Sequence, residues 1–401
     1  MKILIAIHTL ELGGSQINAI ELAELVAARD GYEVEVFAPD GVLADRIRDA
    51  GITLHIAPAG QQAPAAGYIA ALARVVRGRD FDLIHCYEWD TTINAMYGAG
   101  WLYGIPVIST VYSMDVPYLV PAAVPLIVGT RSIQLEEGHR ASVALIEPPV
   151  DVALNAPSAT GSDLRREWAV ADDETLVVVV CRLAARLKLE GLLSAIRAVG
   201  SLDREHPLRF LVVGDGPSRG EVAALADAVN AERGREVVTM VGERADPRSF
   251  YDGSDIAIGM GASALRSMAF AKPLLVQGEG GFWKTLTPES LPLFLEQGFY
   301  GVADGADGAD GTAACERELT SLLELSAAER DELGAFGRSV IERSFSLEVA
   351  VAALLPLYAA AIAQRLSLPQ RVAGALAETI VLAKHRLSIA RQTRRTRAVA
   401  A

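Results

Sequence analysis

The chain opens on KILIAI, Lys2–Ile7, a run of apolar residues with one charge at its head. A Gly-Gly turn follows, and then apolar residues recur at helical spacing from about Ser15. The same alternation continues through EVEVFAP, TLHIAP, FDLIHCY (Phe81–Tyr87) and GIPVIST (Gly104–Thr110), with VPLIVGT and SVALIEP as two further short runs. Unbroken apolar strands separated by helices predict a parallel sheet covered on both faces. The pattern lapses at Pro148–Asp163, rich in Pro, Ser and Ala, which reads as a linker.

A second set follows: TLVVVVCR as a strand, LEGLLSAIRAVGSL as a helix, then LRFLVVGDGP, EVVTMVG, DIAIGMG and PLLVQGEGG as strands running into glycine turns. Two doubly wound α/β domains of similar size are therefore expected, with ligands at the carboxyl ends of the strands. Helices are expected over Ala314 to about Arg365. VAVAALLPLYAAAIA reads as a buried helix, since it is short for a bilayer and contains Pro356. The boundaries expected are an N-terminal domain over 1–150, a C-terminal domain over 151–345, a helix over 346–366 and a tail over 367–401. Val302–Thr312, VADGADGADGT, reads as a low-complexity surface segment, with a calcium site as the lesser alternative.

Composition sharpens this picture in three ways. A length of 401 residues with 51% hydrophobic content fits two packed cores and not a disordered chain. A net charge of −13 argues against nucleic acid as a partner. Three scattered cysteines, Cys86, Cys181 and Cys315, show neither metal spacing nor a disulfide framework, which points to a cytoplasmic setting. The opening apolar run is interrupted by Glu11 and lacks a cleavage site, so it reads as a strand and not as a leader. The tail departs from the acidic average: seven basic residues stand against Glu378, a net of +6. A frayed end is expected there. Contact with the inner face of an anionic membrane is the other reading.

Several residues suggest chemistry. Gly13 and Gly14 allow close backbone approach before a helix N-terminus, although an ordinary tight turn is an equal reading. Arg182 leaves the end of the VVVV strand and Lys188 lies six residues on, so the two cations suit a diphosphate clamp; surface basicity is the alternative. In GMGASALRSMAFAKP, from Gly259, the first large polar side chain of the expected helix is Arg266. A cation near a helix N-terminus has the wrong sign unless an anion sits there. In the N-terminal half, Glu88, Asp90 and Asp115 are carboxylates placed beyond strand ends, suited to an acceptor hydroxyl or base; Asp90 also suits an N-cap. His85 reads as a structural hydrogen-bonder. Glu279 is the carboxylate best placed for donor recognition.

Gly13-Gly14, Arg182 with Lys188, LVVGDGP, and a Gly-x-Gly turn into an Ala-rich helix ending AKP together resemble a GT-B fold glycosyltransferase of family 4. The resemblance covers residues 1–366. It implies two Rossmann-like domains facing a central cleft, with a final helix crossing back to the N-terminal domain. It further implies a nucleotide-sugar donor, retention at the anomeric carbon, and no metal or other cofactor; the sequence offers no convincing Asp-x-Asp motif. Carried over, Arg182 and Lys188 neutralise the leaving diphosphate. Gly14 approaches the same phosphates, the N–H groups of Gly261, Ala262, Ser263 and Ala264 complete a cradle, and Gly242 lines the base pocket. The acceptor implied is a saccharide, a natural product or a lipid-linked intermediate.

The chain departs from the family at five places, the first being an Arg182–Lys188 spacing one residue longer than usual. Two glutamates usual around the Gly-x-Gly turn are Ile258 and Arg266, and arginine cannot accept a hydrogen bond from a ribose. Tyr112 stands where a histidine is common, and Lys284 where an acid is common. A catalytically attenuated relative that binds nucleotide or a partner is therefore the alternative to an active transferase. A GT-B sugar-nucleotide epimerase is a further one.

Overall fold

The computed structural model describes residues 1–59, 63–113, 115–158, 163–303 and 311–399. They form two compact units, Met1–Pro148 with Ala350–Ala401, and Pro149–Val349. Part of the loop Val302–Thr312 (residues 304–310) and part of the linker (159–162) lie outside the described residues.

The first unit is built on seven strands: β1 (Lys2–Ile7), β2 (Glu33–Ala38), β3 (Thr53–Ile56), β4 (Leu83–Tyr87), β5 (Val107–Val111), β6 (Leu126–Val128) and β7 (Val143–Leu145). Their spatial order is β3-β2-β1-β4-β5-β6-β7, and every pairing is parallel. β1 and β4 are buried on both faces, and apolar but for Lys2 and His85. Leu4, Ala6, Ile84 and Cys86 pack against Leu72, Met96 and Trp101 on one side. The helix Leu347–Ala363 runs through Pro356, and within this unit its buried side chains are Ala350, Val351, Leu354, Tyr358 and Ala361.

Leu368–Val399 is one continuous helix, where the basic composition suggested a frayed end. Tertiary contacts explain the difference. Leu382 joins Ile93 and Leu119 in a buried cluster, and Ala375 packs on the core around Trp101. Gly374 lies so close to the Trp101 ring that a Cβ would meet it at 2.4 Å.

The second unit holds β8 (Thr175–Val180), β9 (Leu208–Val213), β10 (Val238–Gly242), β11 (Ile256–Gly259), β12 (Leu274–Gln277) and β13 (Trp283–Thr285), in the order β10-β9-β8-β11-β12-β13. All pairings are parallel except β12 with β13. Alternate residues of β8 serve opposite faces, as strand geometry requires. Val177 and Val179 pack on the helices Leu189–Leu202 and Thr312–Leu323, while Leu176 and Val178 pack on Leu164 and Phe250. Both sheets reverse strand order once, between β1 and β4 and between β8 and β11. Such switch points open a crevice at the strands' carboxyl ends.

Candidate functional site

In the second unit, the switch point is where Arg182 and the Gly259–Ala264 turn emerge. The loop from Cys181 is tied down by backbone bonds: Cys181 N–H to the Val213 carbonyl at 3.0 Å and Leu183 N–H to the Asp215 carbonyl at 2.9 Å. GDGP is more than a turn here. Gly214 and Gly216 hold φ of 137° and 155°, and a Cβ on them would meet the carbonyl oxygens of Cys181 at 1.9 Å and Leu183 at 2.5 Å. Only glycine allows β9's end to brace the Arg182 loop so closely. Gly214 N–H also donates to the Gly242 carbonyl at 2.9 Å, so the ends of β8, β9 and β10 form one tied edge.

Arg182 is exposed at that edge. Lys188 ends the loop just after Leu187, which is held at φ +70°. Burial pulls the Lys188 ammonium below the usual lysine range, while the nearby Cys181 acts in the opposite direction. Neither cation forms an ion pair among the described residues. Two unneutralised cations, one of them desolvated, at a switch point suit an anionic ligand.

The Gly-x-Gly turn contributes backbone donors. Gly261 has φ +57° and starts the helix Ala262–Ala269. Its own N–H is already spent on the Phe299 carbonyl at 2.8 Å, which leaves Ala262, Ser263 and Ala264 as the first-turn donors. That helix is only eight residues long, so Arg266 lies in its last turn. The sign problem therefore disappears: a cation is favourable at a helix C-terminus. Arg266 also acts electrostatically on the buried Tyr251 hydroxyl; burial raises that hydroxyl's pKa and Arg266 opposes the rise. Ile258 is a core residue of β11, paired between Val179 and Leu275. Lys284 is exposed on β13, with Nζ 3.9 Å from Glu318.

Glu279 accepts a hydrogen bond from the Tyr300 hydroxyl, and its backbone brackets the chain at Gly301 and Ala303. Nearby, Glu190 accepts the Gly281 N–H at 2.6 Å. The Gln277 amide, 1% exposed at the end of β12, has no hydrogen-bond partner for either its oxygen or its nitrogen. Gly191 lies against it: a Cβ there would stand 2.3 Å from Gln277 Oε1, so any larger residue would turn the amide.

In the first unit, the switch point gathers Gly13–Ser15 and Glu88–Asp90. Gly13 caps the helix Gly14–Ala27 in extended conformation. Glu88 is buried at φ +70°, ψ 162°, a region that only glycine enters freely. Its carboxylate accepts from Ser15 Oγ at 2.9 Å, Ser113 Oγ at 2.5 Å and the Tyr112 N–H at 3.2 Å. Asp90 is not an N-cap: Glu88 holds that place in the helix Trp89–Ala95, and Asp90 accepts the Thr91 N–H at 2.9 Å. Burial raises the Asp90 pKa, and the neighbouring Glu88 adds to this while His8 opposes it. Tyr112 is raised by burial, with Glu88 and Glu147 adding to it. Asp115 is exposed. His85 is wholly buried between the Tyr358 hydroxyl and Thr110 Oγ1, both at 2.7 Å, and burial holds its pKa down at about 3. It is structural.

Two further side chains here escaped the sequence reading. His8 follows β1 directly; its Nε2 meets the Gln16 amide at 2.9 Å, and its Nδ1 is buried without a partner. A polar residue at the carboxyl end of the first strand was the available signal. Glu147, two residues past β7, has Oε1 buried without a partner, and burial pushes its pKa up to about 7. No local pattern marks it. Among the described residues no three His, Cys, Asp or Glu side chains are grouped to hold a metal ion.

Residues 13–134 match the glycosyl transferase 4-like domain, and residues 174–299 match the glycosyl transferases group 1 family. No curated protein sequence matches the chain. Among solved structures, a glycosyltransferase from Rickettsia africae aligns with a TM-score of 0.71 at 13% identity, over 90% of this chain and 99% of that one. Anabaena Alr3699/HepE, solved with UDP and glucose, aligns at 0.68 and 17% identity, over 90% and 100%. WaaG, a glycosyltransferase involved in lipopolysaccharide biosynthesis, aligns at 0.60 and 14%, over 87% and 98%. With both family domains in order on two parallel-dominant Rossmann-like sheets, the chain belongs to the GT-B glycosyltransferases of the family 4/group 1 type.

Proposed function

We propose that this chain transfers a sugar from a nucleotide-sugar donor to an acceptor hydroxyl, with retention and without a metal. The observation that carries the reading is the pair Arg182 and Lys188, without ion pairs among the described residues, on a loop braced by Gly214 and Gly216. In the reaction, the bond from the anomeric carbon to the diphosphate oxygen breaks, and its electron pair leaves with the diphosphate. The acceptor oxygen forms the new bond on the same face, and its proton passes to the departing phosphate. Charge grows on the diphosphate, where prepositioned cations and the N–H groups of Ala262–Ala264 stabilise it most. Gly242 and Glu279 are assigned to the donor, with Tyr300 orienting Glu279. Glu88, Asp90, Tyr112 and Asp115 are assigned to acceptor or sugar contacts, and Gly13 and Gly14 to close backbone approach. A saccharide, natural product or lipid-linked acceptor fits this set. Three unpaired cysteines support a cytoplasmic setting.

HepE was solved with UDP and with UDP-glucose, so a uridine diphosphate sugar is the first donor to test. A second reading, nucleotide binding without transfer, is favoured by Ile258 in the core and Arg266 beside Tyr251, since neither offers a carboxylate. A thermal-shift panel of UDP, GDP, ADP, CMP and dTDP sugars separates the readings. A ligand that binds only the folded state raises the melting temperature. A shift with one donor, product formation or donor hydrolysis, and loss of both in Arg182→Ala support transfer. A shift without turnover supports the second reading. No shift with any nucleotide overturns both.

A further inference from the structure

The helix Leu368–Val399 seats Leu382 on the first unit but leaves a row of large apolar residues exposed. Leu368, Val372, Leu376 and Ile380 recur every four residues and are 62%, 53%, 62% and 56% exposed. Between them the exposed positions are Pro369, Gln370, Ala373, Ala377 and Thr379, with Ala383 just beyond. Spacing by four keeps these residues on one side of the helix, as a stripe of roughly 23 Å at about 1.5 Å per residue. The face turned to the first unit is mixed: Ala375 and Leu382 pack on its core, Arg371 donates to the Leu102 carbonyl at 3.3 Å, Gly374 meets Trp101, and Glu378 is half-buried near Arg140. Leu102, 64% exposed, and Tyr103 extend the apolar surface beside the helix start. Packing alone gives no reason for an outward stripe of large aliphatics, since water is the worst neighbour for them.

The charge pattern identifies the occupant. Residues 367–401 carry net +6 in a chain of −13, so residues 1–366 carry −19. Glu378, the acid of this segment, lies on the inward face, with burial raising its pKa. Arg365 and Arg371 stand at the start of the stripe, and Lys384, Arg386, Arg391, Arg394, Arg395 and Arg397 follow its end. A second copy docked on this face would bring two such basic segments together. An anionic bilayer instead accepts the aliphatics into its headgroup boundary and neutralises the flanking cations. It would repel the acidic remainder of the chain, which fixes the orientation. No single described helix is long and apolar enough to cross a membrane; the bent pair Leu347–Ala363 with Leu368–His385 is, by length and composition, but Val351, Leu354 and Tyr358 bury its first helix in the protein, so the fitting mode is in-plane adsorption.

We propose that the outer face of Leu368–Ala383 is a docking surface for an anionic lipid bilayer, with the basic segment beyond it supplying the electrostatic half of the attachment. This is independent of the transfer reading. The test is co-sedimentation of the full chain with phosphatidylcholine vesicles, with and without phosphatidylglycerol. The wild type is expected to sediment with the phosphatidylglycerol vesicles and to be released by salt. L376D/I380D is expected to lose binding by tenfold or more, with an unchanged melting temperature because both positions are exposed. R391Q/R394Q/R395Q is expected to weaken binding about fivefold per charge removed. Wild type that binds neither vesicle, or L376D/I380D that binds like wild type, would overturn the proposal. So would a wild-type dimer by light scattering that L376D/I380D dissociates.

Discussion

Glu88 holds a backbone conformation that costs about 1–3 kcal/mol, and its carboxylate gathers three donors from two segments in return. Local strain held in place by a hydrogen-bond hub at a switch point marks a position kept for geometry. Glu147 shows the opposite economy: a carboxyl with one oxygen orphaned and a pKa near 7. Its folded pKa lies above the ordinary 4.5, so its contribution to stability is complete below about pH 4.5 and is lost as pH rises through 7. Glu147→Gln, which stays neutral, is expected to melt higher than wild type at pH 8 and equally at pH 4, read by calorimetry across pH. Lys188 is held desolvated without an ion pair among the described residues. Lys188→Met is expected to stabilise the ligand-free protein by about 1 kcal/mol while removing the nucleotide-induced shift. A ligand-free destabilisation would show that the ammonium has a structural partner.

At the scale of elements, the strand-end loops are held by neighbouring strands and not by their own sequence. Gly214→Ala places a Cβ 1.9 Å from the Cys181 carbonyl oxygen at a φ that alanine resists. The expected cost is at least about 1 kcal/mol, with nucleotide affinity falling although Arg182 is intact; titration calorimetry reads the second effect. The helix Leu347–Ala363 is joined to the first sheet by the bond between Tyr358 and His85. Tyr358→Phe leaves His85 Nδ1 buried and unsatisfied, at an expected cost of about 1–3 kcal/mol in chemical denaturation. His85 is held neutral, its folded pKa far below 6.5, so its contribution is complete above pH 6.5 and is lost as pH falls toward 3.

For the whole molecule, the units differ in how the chain supplies them. The second is continuous, Pro149–Val349, with its own sheet and core. The first is completed only by residues from Ala350 onward, whose Val351, Leu354 and Tyr358 are buried. A fragment of residues 149–349 is expected to unfold cooperatively on its own. Residues 1–148 alone are expected to aggregate, and circular dichroism melts of the two fragments check both outcomes.

Periodicity and apolar runs determined the two α/β sheets, most strand positions and the glycine turns, because a strand buried on both faces must be apolar throughout. The two-residue signals also stood in the sequence: Arg182 with Lys188, and GDGP. The antiparallel β13 did not, since three residues carry no period. Three things were decided only by tertiary structure. Arg266 is a last-turn cation because its helix runs only from Ala262 to Ala269, a length that the AKP ending bounds but does not fix. Glu147 and His8 acquire their chemistry from burial, which is a property of neighbours distant in sequence. The basic tail is a helix with an apolar outer face because Leu382, Ala375 and Gly374 find a seat on the first unit, and composition alone cannot say which face of a helix meets a seat.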